Sequence, residues 1–305
     1  MIQTAIRRGA VIWSDGAFYD ERDVPVHPLT HALHYGSGVF EGILVYGTPR
    51  GSAIFRLQDQ VDRLFASAAA YGMQIRHDRE LVAQAIIETV RANDLSYGYI
   101  RPLAYFAHDR ANAKAALCDA RARRRAALQG SLVGENSGGC RATISPWRKT
   151  PSQSLPAGVK ACGHYTNSIL ALQDARDRRF EEAILLNHRG HVAEATCENV
   201  FIVAGGAIVT NDASADVLEG ITRDTVLRIA SDCGIPARIE PIAVRDLLRA
   251  QEVFLVGTAA EIVPVARIDH SVFDAPGAIT ARIAQAYLRA VAGREPRYEP
   301  WLTYV

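Results

Sequence analysis

Lysine is scarce in this chain. It occurs at positions 114, 149 and 160, while arginine supplies nearly all other positive side-chain charge. Lys114 and Lys149 stand among polar or basic neighbours and read as solvated. Lys160 is flanked by Gly158, Val159, Ala161, Cys162 and Gly163, with no acid beside it. An amine in such surroundings is poorly hydrated, so its pKa is expected to fall toward neutrality and leave it nucleophilic toward a carbonyl. Taken alone, the segment reads more simply as a lysine whose stem lies on apolar surface with its amine in water. Other residues shift that balance.

Glu194 lies in a strand-like run, HVAEATCENVFIV, followed by the small Ala195 and Thr196. Gly220-Ile221-Thr222-Arg223-Asp224 puts glycine and threonine at a helix start, where free N–H groups and the helix dipole favour an anion. Gly257-Thr258-Ala259-Ala260 offers further backbone N–H groups and a hydroxyl after an apolar strand. Arg63 lies off the apolar stripe of its helix and can compensate an anion's charge. Arg101 sits on one face of an apolar strand with Tyr99 and Leu103, where a guanidinium needs an acid or a carboxylate ligand. A pyridoxal-phosphate enzyme needs an imine-forming lysine, an acid at the pyridine nitrogen, donors for the phosphate and a group near the ring oxygen. Each requirement has a candidate here. Singly, a solvated glutamate or an ordinary helix start explains the same residues.

The elements that must position these residues follow from periodicity and turn chemistry. Val11-Ile12-Trp13 and Ala17-Phe18-Tyr19 flank Ser14-Asp15-Gly16 as a hairpin. A glycine- and histidine-rich stretch from Leu29 leads into one strand, Val39 to Tyr46. Leu57, Val61, Leu64 and Phe65 predict a helix over 57–71, and Asp78 caps a second over 78–93. Residues 97–106 predict a strand. Ala111 to Gln129 is alanine- and arginine-rich, of helical composition with a weak apolar stripe. Glycine-rich 131–139 reads as a linker between a domain of residues 1–130 and one of 140–305. After it, strands and helices alternate: strands 140–145, 183–186, 199–203, 207–210 and 252–256, helices 165–178, 222–233 (capped by Thr222) and 278–292. That order predicts an α+β class of two domains with mixed sheets rather than a doubly wound fold.

With 49% hydrophobic and 22% charged residues and a net charge of +1, nothing drives the chain toward nucleic acid or membrane. Five widely spaced cysteines without a Cys-x-x-Cys argue against a disulfide framework or a zinc site, and so for a reducing compartment. With no apolar run long enough to span a bilayer and no signal peptide at Met1, the expected location is the cytoplasm.

Six motifs in order, LTHALHYGSGVFEGI, YIRPL, VKACGHY, AEATCENVF, GITRD and GTAAEI, closely resemble the branched-chain amino-acid aminotransferases of the fold-type IV pyridoxal-phosphate class over nearly the whole chain. The resemblance implies a two-domain, D-amino-acid-aminotransferase-like fold, with Lys160 as the Schiff-base lysine and Glu194 as the pyridine-nitrogen partner. By the same resemblance Tyr165 contacts the ring oxygen, and Arg63, Ile221, Thr222 and Thr258 hold the phosphate. Tyr35, Phe40, Tyr99, Arg101 and the Thr258-Ala259-Ala260 turn line the substrate pocket. It also implies a homodimer or larger assembly, and ping-pong transamination of leucine, isoleucine and valine with 2-oxoglutarate. No metal is called for. Alternatives are a transaminase of D-amino acids or amines, an aminodeoxychorismate lyase, or, outside catalysis, a pyridoxal-phosphate-binding protein. Tyr99-x-Arg101 together with GTAAE favours the branched-chain group.

The match fails between Asp109 and Gly130, where the family has a buried strand and an aromatic loop. The segment reads as anomalous, of the kind a local reading-frame slip leaves. His164 stands where a neutral residue such as asparagine is more usual.

Overall fold

The structure, a computed structural model, describes residues 10–24, 26–108, 139–305 and the backbone of 113–119. The chain divides into two compact units, residues 1–122 with 301–305, and residues 123–300.

The first unit opens with the hairpin β1 (Val11–Ser14) and β2 (Ala17–Asp20), turning at Asp15-Gly16 as its sequence dictates. A short helix, α1 (His31–Tyr35), precedes β3 (Gly38–Phe40) and β4 (Ile43–Thr48). The single strand expected over 39–46 is therefore broken at Glu41-Gly42. There Glu41 N–H turns to the Pro102 carbonyl, and Tyr99 occupies the space a Gly42 side chain would need. β5 (Gly51–Phe55) leads into α2 (Leu57–Ala70), which buries Leu57, Val61 and Leu64 on one stripe as their spacing requires. Asp78 caps α3 (Arg79–Ala92) by accepting from Leu81 N–H at 2.8 Å. β6 (Gly98–Phe106) then pairs with β4, with β3 and with β7 (Ala113–Asp119).

The strand β7 corrects the helical reading of Ala111–Gln129. It pairs antiparallel with β6 from Ile100↔Asp119 to Phe106↔Ala113, and with β1 on its other edge. Backbone groups along two neighbouring strand edges need partners, and supplying them outweighs a helix preference of a few tenths of a kcal/mol per residue. Residues 120–129 and all of the expected linker but Gly139 lie outside the described residues.

The second unit is a mixed sheet with helices. It contains β8 (Cys140–Arg148), α4 (Tyr165–Asp177), β9 (Glu182–Leu186), β10 (Val192–Ala195), β11 (Asn199–Ala204) and β12 (Ala207–Thr210). These are followed by α5 (Ile221–Asp232), β13 (Ala237–Ile239), α6 (Val244–Leu248), β14 (Glu252–Gly257), β15 (Glu261–Ile268), β16 (Ser271–Val272) and α7 (Ala278–Val291). The strand order is β10-β9-β8-β15-β14-β11-β12-β13, with β8 parallel to both β9 and β15. One face carries a core of Ile184, Val200, Ile202, Val253, Leu255 and Val265, from alternating strand positions.

A last strand, β17 (Leu302–Tyr304), corrects the assignment of 140–305 to one domain: it pairs with β5 and belongs to the first unit. Edge strand β5 gains a hydrogen-bonding partner, and Trp301 packs edge-on against Phe55. The first sheet runs β17-β5-β4-β6-β7-β1-β2 and is antiparallel at each pairing among the described residues. Among the described residues no helix is long and apolar enough to cross a membrane.

Candidate active site

In the second unit Lys160 ends a run of turns and precedes a short 3-10 turn, Cys162–His164, which leads directly into α4. Its neighbours Val159 and Ala161 are buried, and Lys160 itself is half-buried. Because α4 starts at Tyr165, that side chain returns to the lysine. Lys160 Nζ donates to Tyr165 Oη at 3.0 Å. The two residues the motif pairs are thus in contact.

Glu194 is placed by β10, whose pairing with β9 shifts register between Val192 and Ala195, an irregularity of the kind that re-aims side chains. It is only 7% exposed. Its Oε2 accepts from Leu218 N–H at 3.1 Å and from Asn199 Nδ2 at 3.5 Å, and Asn199 is itself fixed by donating to the Leu218 carbonyl at 2.8 Å. Its Oε1 lies 2.5 Å from Lys149 Nζ. Lys149 is therefore not solvated, which corrects the sequence reading. Its polar neighbours describe the chain around it, whereas its partner stands on another strand.

His164 belongs to the same cluster. Burial holds its imidazole below the usual histidine range, the Lys149 cation adds to this, and Glu194 opposes it. Glu182 and Glu198 are also buried, and Glu198 interacts electrostatically with Glu182 and Glu194. Glu182 Oε1 accepts from Ala183 N–H and Thr196 N–H, and Glu198 Oε2 accepts from Cys197 N–H. Burial first, then the neighbouring Glu182 carboxylate, pushes Glu198 up to about 8. Of this group only His164 drew notice in the sequence; Glu182 and Glu198 did not.

The expected anion end belongs to α5. Gly220, not Thr222, is its N-cap, and no side chain accepts there. Thr222 is buried in the first turn instead. A Cβ at Gly220 would stand 2.2 Å from Asn199 Oδ1, so a larger residue there would displace the Asn199 amide. Asn199 thus touches both the Glu194 carboxylate and the entry to α5. Thr258, Ala259 and Ala260 form the turn joining β14 to β15, and its first strand pair, Gly257↔Glu261, passes close to the Cys197 carbonyl. Amine, buried carboxylate and uncapped helix start form the donor set that pyridoxal phosphate requires, so the residues present fit that cofactor.

In the first unit Arg101 Nη2 donates to Tyr99 Oη at 2.8 Å, and its guanidinium lies 4.5 Å from the Phe40 ring centroid. Its Nε is buried without a hydrogen-bond partner. The acid that sequence reasoning offered as one alternative is absent among the described residues, leaving a donor for a ligand. Arg63 is gripped by Glu41, Nε at 2.6 Å and Nη2 at 2.8 Å. Tyr35 ends α1 and is 69% exposed, its ring against His31.

The profile of the amino-transferase class IV family matches residues 38–268, and the chain belongs to that family. It is 37% identical over 302 residues to the branched-chain-amino-acid aminotransferase of Pseudomonas aeruginosa, covering 98% of each chain. Among solved structures it resembles the branched-chain aminotransferase of Thermoproteus uzoniensis with norvaline, at TM-score 0.90 and 40% identity, covering 96% of this chain and 98% of that one. It likewise resembles the T.th. branched-chain amino acid aminotransferase complexed with N-(5'-phosphopyridoxyl)-L-glutamate, at TM-score 0.89 and 38% identity, covering 97% and 98%.

Proposed function

We propose that this chain is a pyridoxal-phosphate-dependent transaminase. It moves the amino group of L-leucine, L-isoleucine or L-valine to 2-oxoglutarate, releasing the branched 2-oxo acid and L-glutamate. The observation that carries the reading is the amine of Lys160, hydrogen-bonded to Tyr165 in a unit that also buries the Glu194 carboxylate. Bound to Lys160, the cofactor supplies an electron sink for the electrons left at the substrate Cα. Glu194 would hold the ring nitrogen and keep it protonated, and Tyr165 would hold the ring oxygen. Ile221, Thr222, Thr258 and Arg63 would hold the phosphate. The Nζ of Lys160 would hold the cofactor and would take and give back the substrate's Cα proton. Tyr165 Oη keeps that amine aimed.

Arg101, with its spare Nε, Tyr99 and Tyr35 receive the side-chain carboxylate of glutamate, and Phe40 and the Ala259-Ala260 turn receive the branched chain. A donor buried without a partner costs about 1–3 kcal/mol, a cost that a substrate carboxylate removes. The enzyme works in the cytoplasm as a homodimer or larger assembly. Adding L-leucine to the yellow, cofactor-loaded protein is expected to bleach the visible band, and borohydride is expected to fix the cofactor on Lys160. Lys160→Ala abolishes both. Turnover retained in that variant refutes the mechanism.

A further inference from the structure

Lys149 is the first residue past β8, and its backbone is pinned by donating N–H to the Leu186 carbonyl on β9 at 2.9 Å. Glu194 stands on β10, on the far side of β9 in a sheet ordered β10-β9-β8. Strands lie roughly 4.8 Å apart, so the side chains bridge a gap of about two strand spacings. The long stem of a lysine is needed for that span. At its end the ammonium makes its one ion pair among the described residues, 2.5 Å from Glu194 Oε1, with both side chains nearly buried. No other hydrogen bond reaches that oxygen among the described residues, because Leu218 and Asn199 both approach Oε2.

We propose that Lys149 is a positioning residue: its ammonium holds the Glu194 side chain aimed, and makes that carboxylate a counter-ion shared between Lys149 and the cofactor's ring nitrogen. This rests on the assignment of Glu194 to the ring nitrogen above. A carboxylate divided between two cations binds each less strongly than one alone, so Lys149 lowers the basicity of the cationic groups around Lys160. The titratable groups interacting with the cluster are His164 and Tyr165 from the turn and start of α4, Lys160 before them, and Glu198 with its neighbour Glu182.

Two measurements test this. The first is a double-variant cycle on cofactor-free protein at pH 8, comparing Lys149→Met, Glu194→Gln and both together by thermal melting. Breaking a nearly buried pair is expected to lower the midpoint by roughly 5 °C in Lys149→Met. The double variant loses far less than the sum of the two single losses. The second follows the yellow absorbance of loaded protein against pH. Lys149→Met removes a nearby cation, so the chromophore keeps its proton longer, and the midpoint moves up by about one unit. Lys149→Arg restores it. Additive melting losses overturn the pair. An unmoved absorbance midpoint in Lys149→Met, with Glu194→Gln shifted, overturns the role of Lys149 and leaves the cofactor reading standing. An unmoved midpoint in Glu194→Gln removes both.

Discussion

Glu41→Gln tests whether the phosphate assignment of Arg63 is built into the fold. Glu41 is fully buried, and both its oxygens are committed to Arg63, at 2.6 and 2.8 Å, while Gly42 N–H also donates to Oε2 at 3.2 Å. Glutamine preserves the volume and one oxygen. Its amide nitrogen, however, must face the guanidinium or Gly42 N–H, so one charge-assisted bond becomes a donor opposite a donor. A hydrogen bond to a charged group contributes about 1.5–3 kcal/mol, and Arg63 is nearly buried, so little solvent screening reduces that figure. Taking about 2 kcal/mol as the loss of hold on Arg63, and its full transfer to cofactor binding, gives an affinity roughly thirtyfold weaker. The assay reconstitutes cofactor-free protein with pyridoxal phosphate and, separately, with pyridoxal, following the visible band. Only the first ligand carries the phosphate. The expected result is therefore a weakened pyridoxal phosphate titration beside a nearly unchanged pyridoxal one. Equal weakening of both ligands refutes the reasoning, because it makes Glu41 a structural residue with no bearing on the phosphate.

Gly42→Ala brings a Cβ to 2.0 Å from Tyr99 Oη, so the phenol must swing away and release Arg101. Overpacking of this kind costs about 1–3 kcal/mol, and the half-reactions with L-glutamate and L-leucine are expected to need roughly tenfold more substrate; unchanged substrate dependence counts against Arg101 and Tyr99 as pocket residues. The Glu198 carboxyl is raised from an ordinary 4.5 to about 8 by burial and then by Glu182. A group whose folded pKa exceeds its unfolded one contributes stability that is complete below about pH 4.5 and is lost as pH rises through 8. Glu198→Gln is expected to flatten that fall in a series of melting midpoints from pH 4 to 9, and a slope equal to the parent's rejects Glu198 as the group responsible.

What was legible in the sequence had its causes within a few residues. The α2 stripe, the Asp78 cap and the Asp15-Gly16 turn are each decided inside one turn of chain. Lys160 drew notice through its apolar neighbours, whereas Tyr165 entered through the family resemblance, and the start of α4 brings the two into contact. The interruption at Glu41-Gly42 was not, because it is imposed by Tyr99 and the Pro102 carbonyl from β6. Nor was β7, whose composition favours a helix and whose strand form comes from two neighbours distant in sequence. The charged residues divide along the same line. Lys160, Glu194 and Arg101 drew notice because a charge in an apolar run has no local reason to be there. Glu41 escaped notice and Lys149 was read as solvated: a single acid in a glycine-rich turn and a lysine beside an arginine look ordinary. Yet each is the counter-ion of a residue that did draw notice, reached across 22 residues in one case and across β9 in the other. A buried functional charge needs a partner at about 3 Å, and the fold, not the neighbouring sequence, selects which ordinary polar residue arrives there.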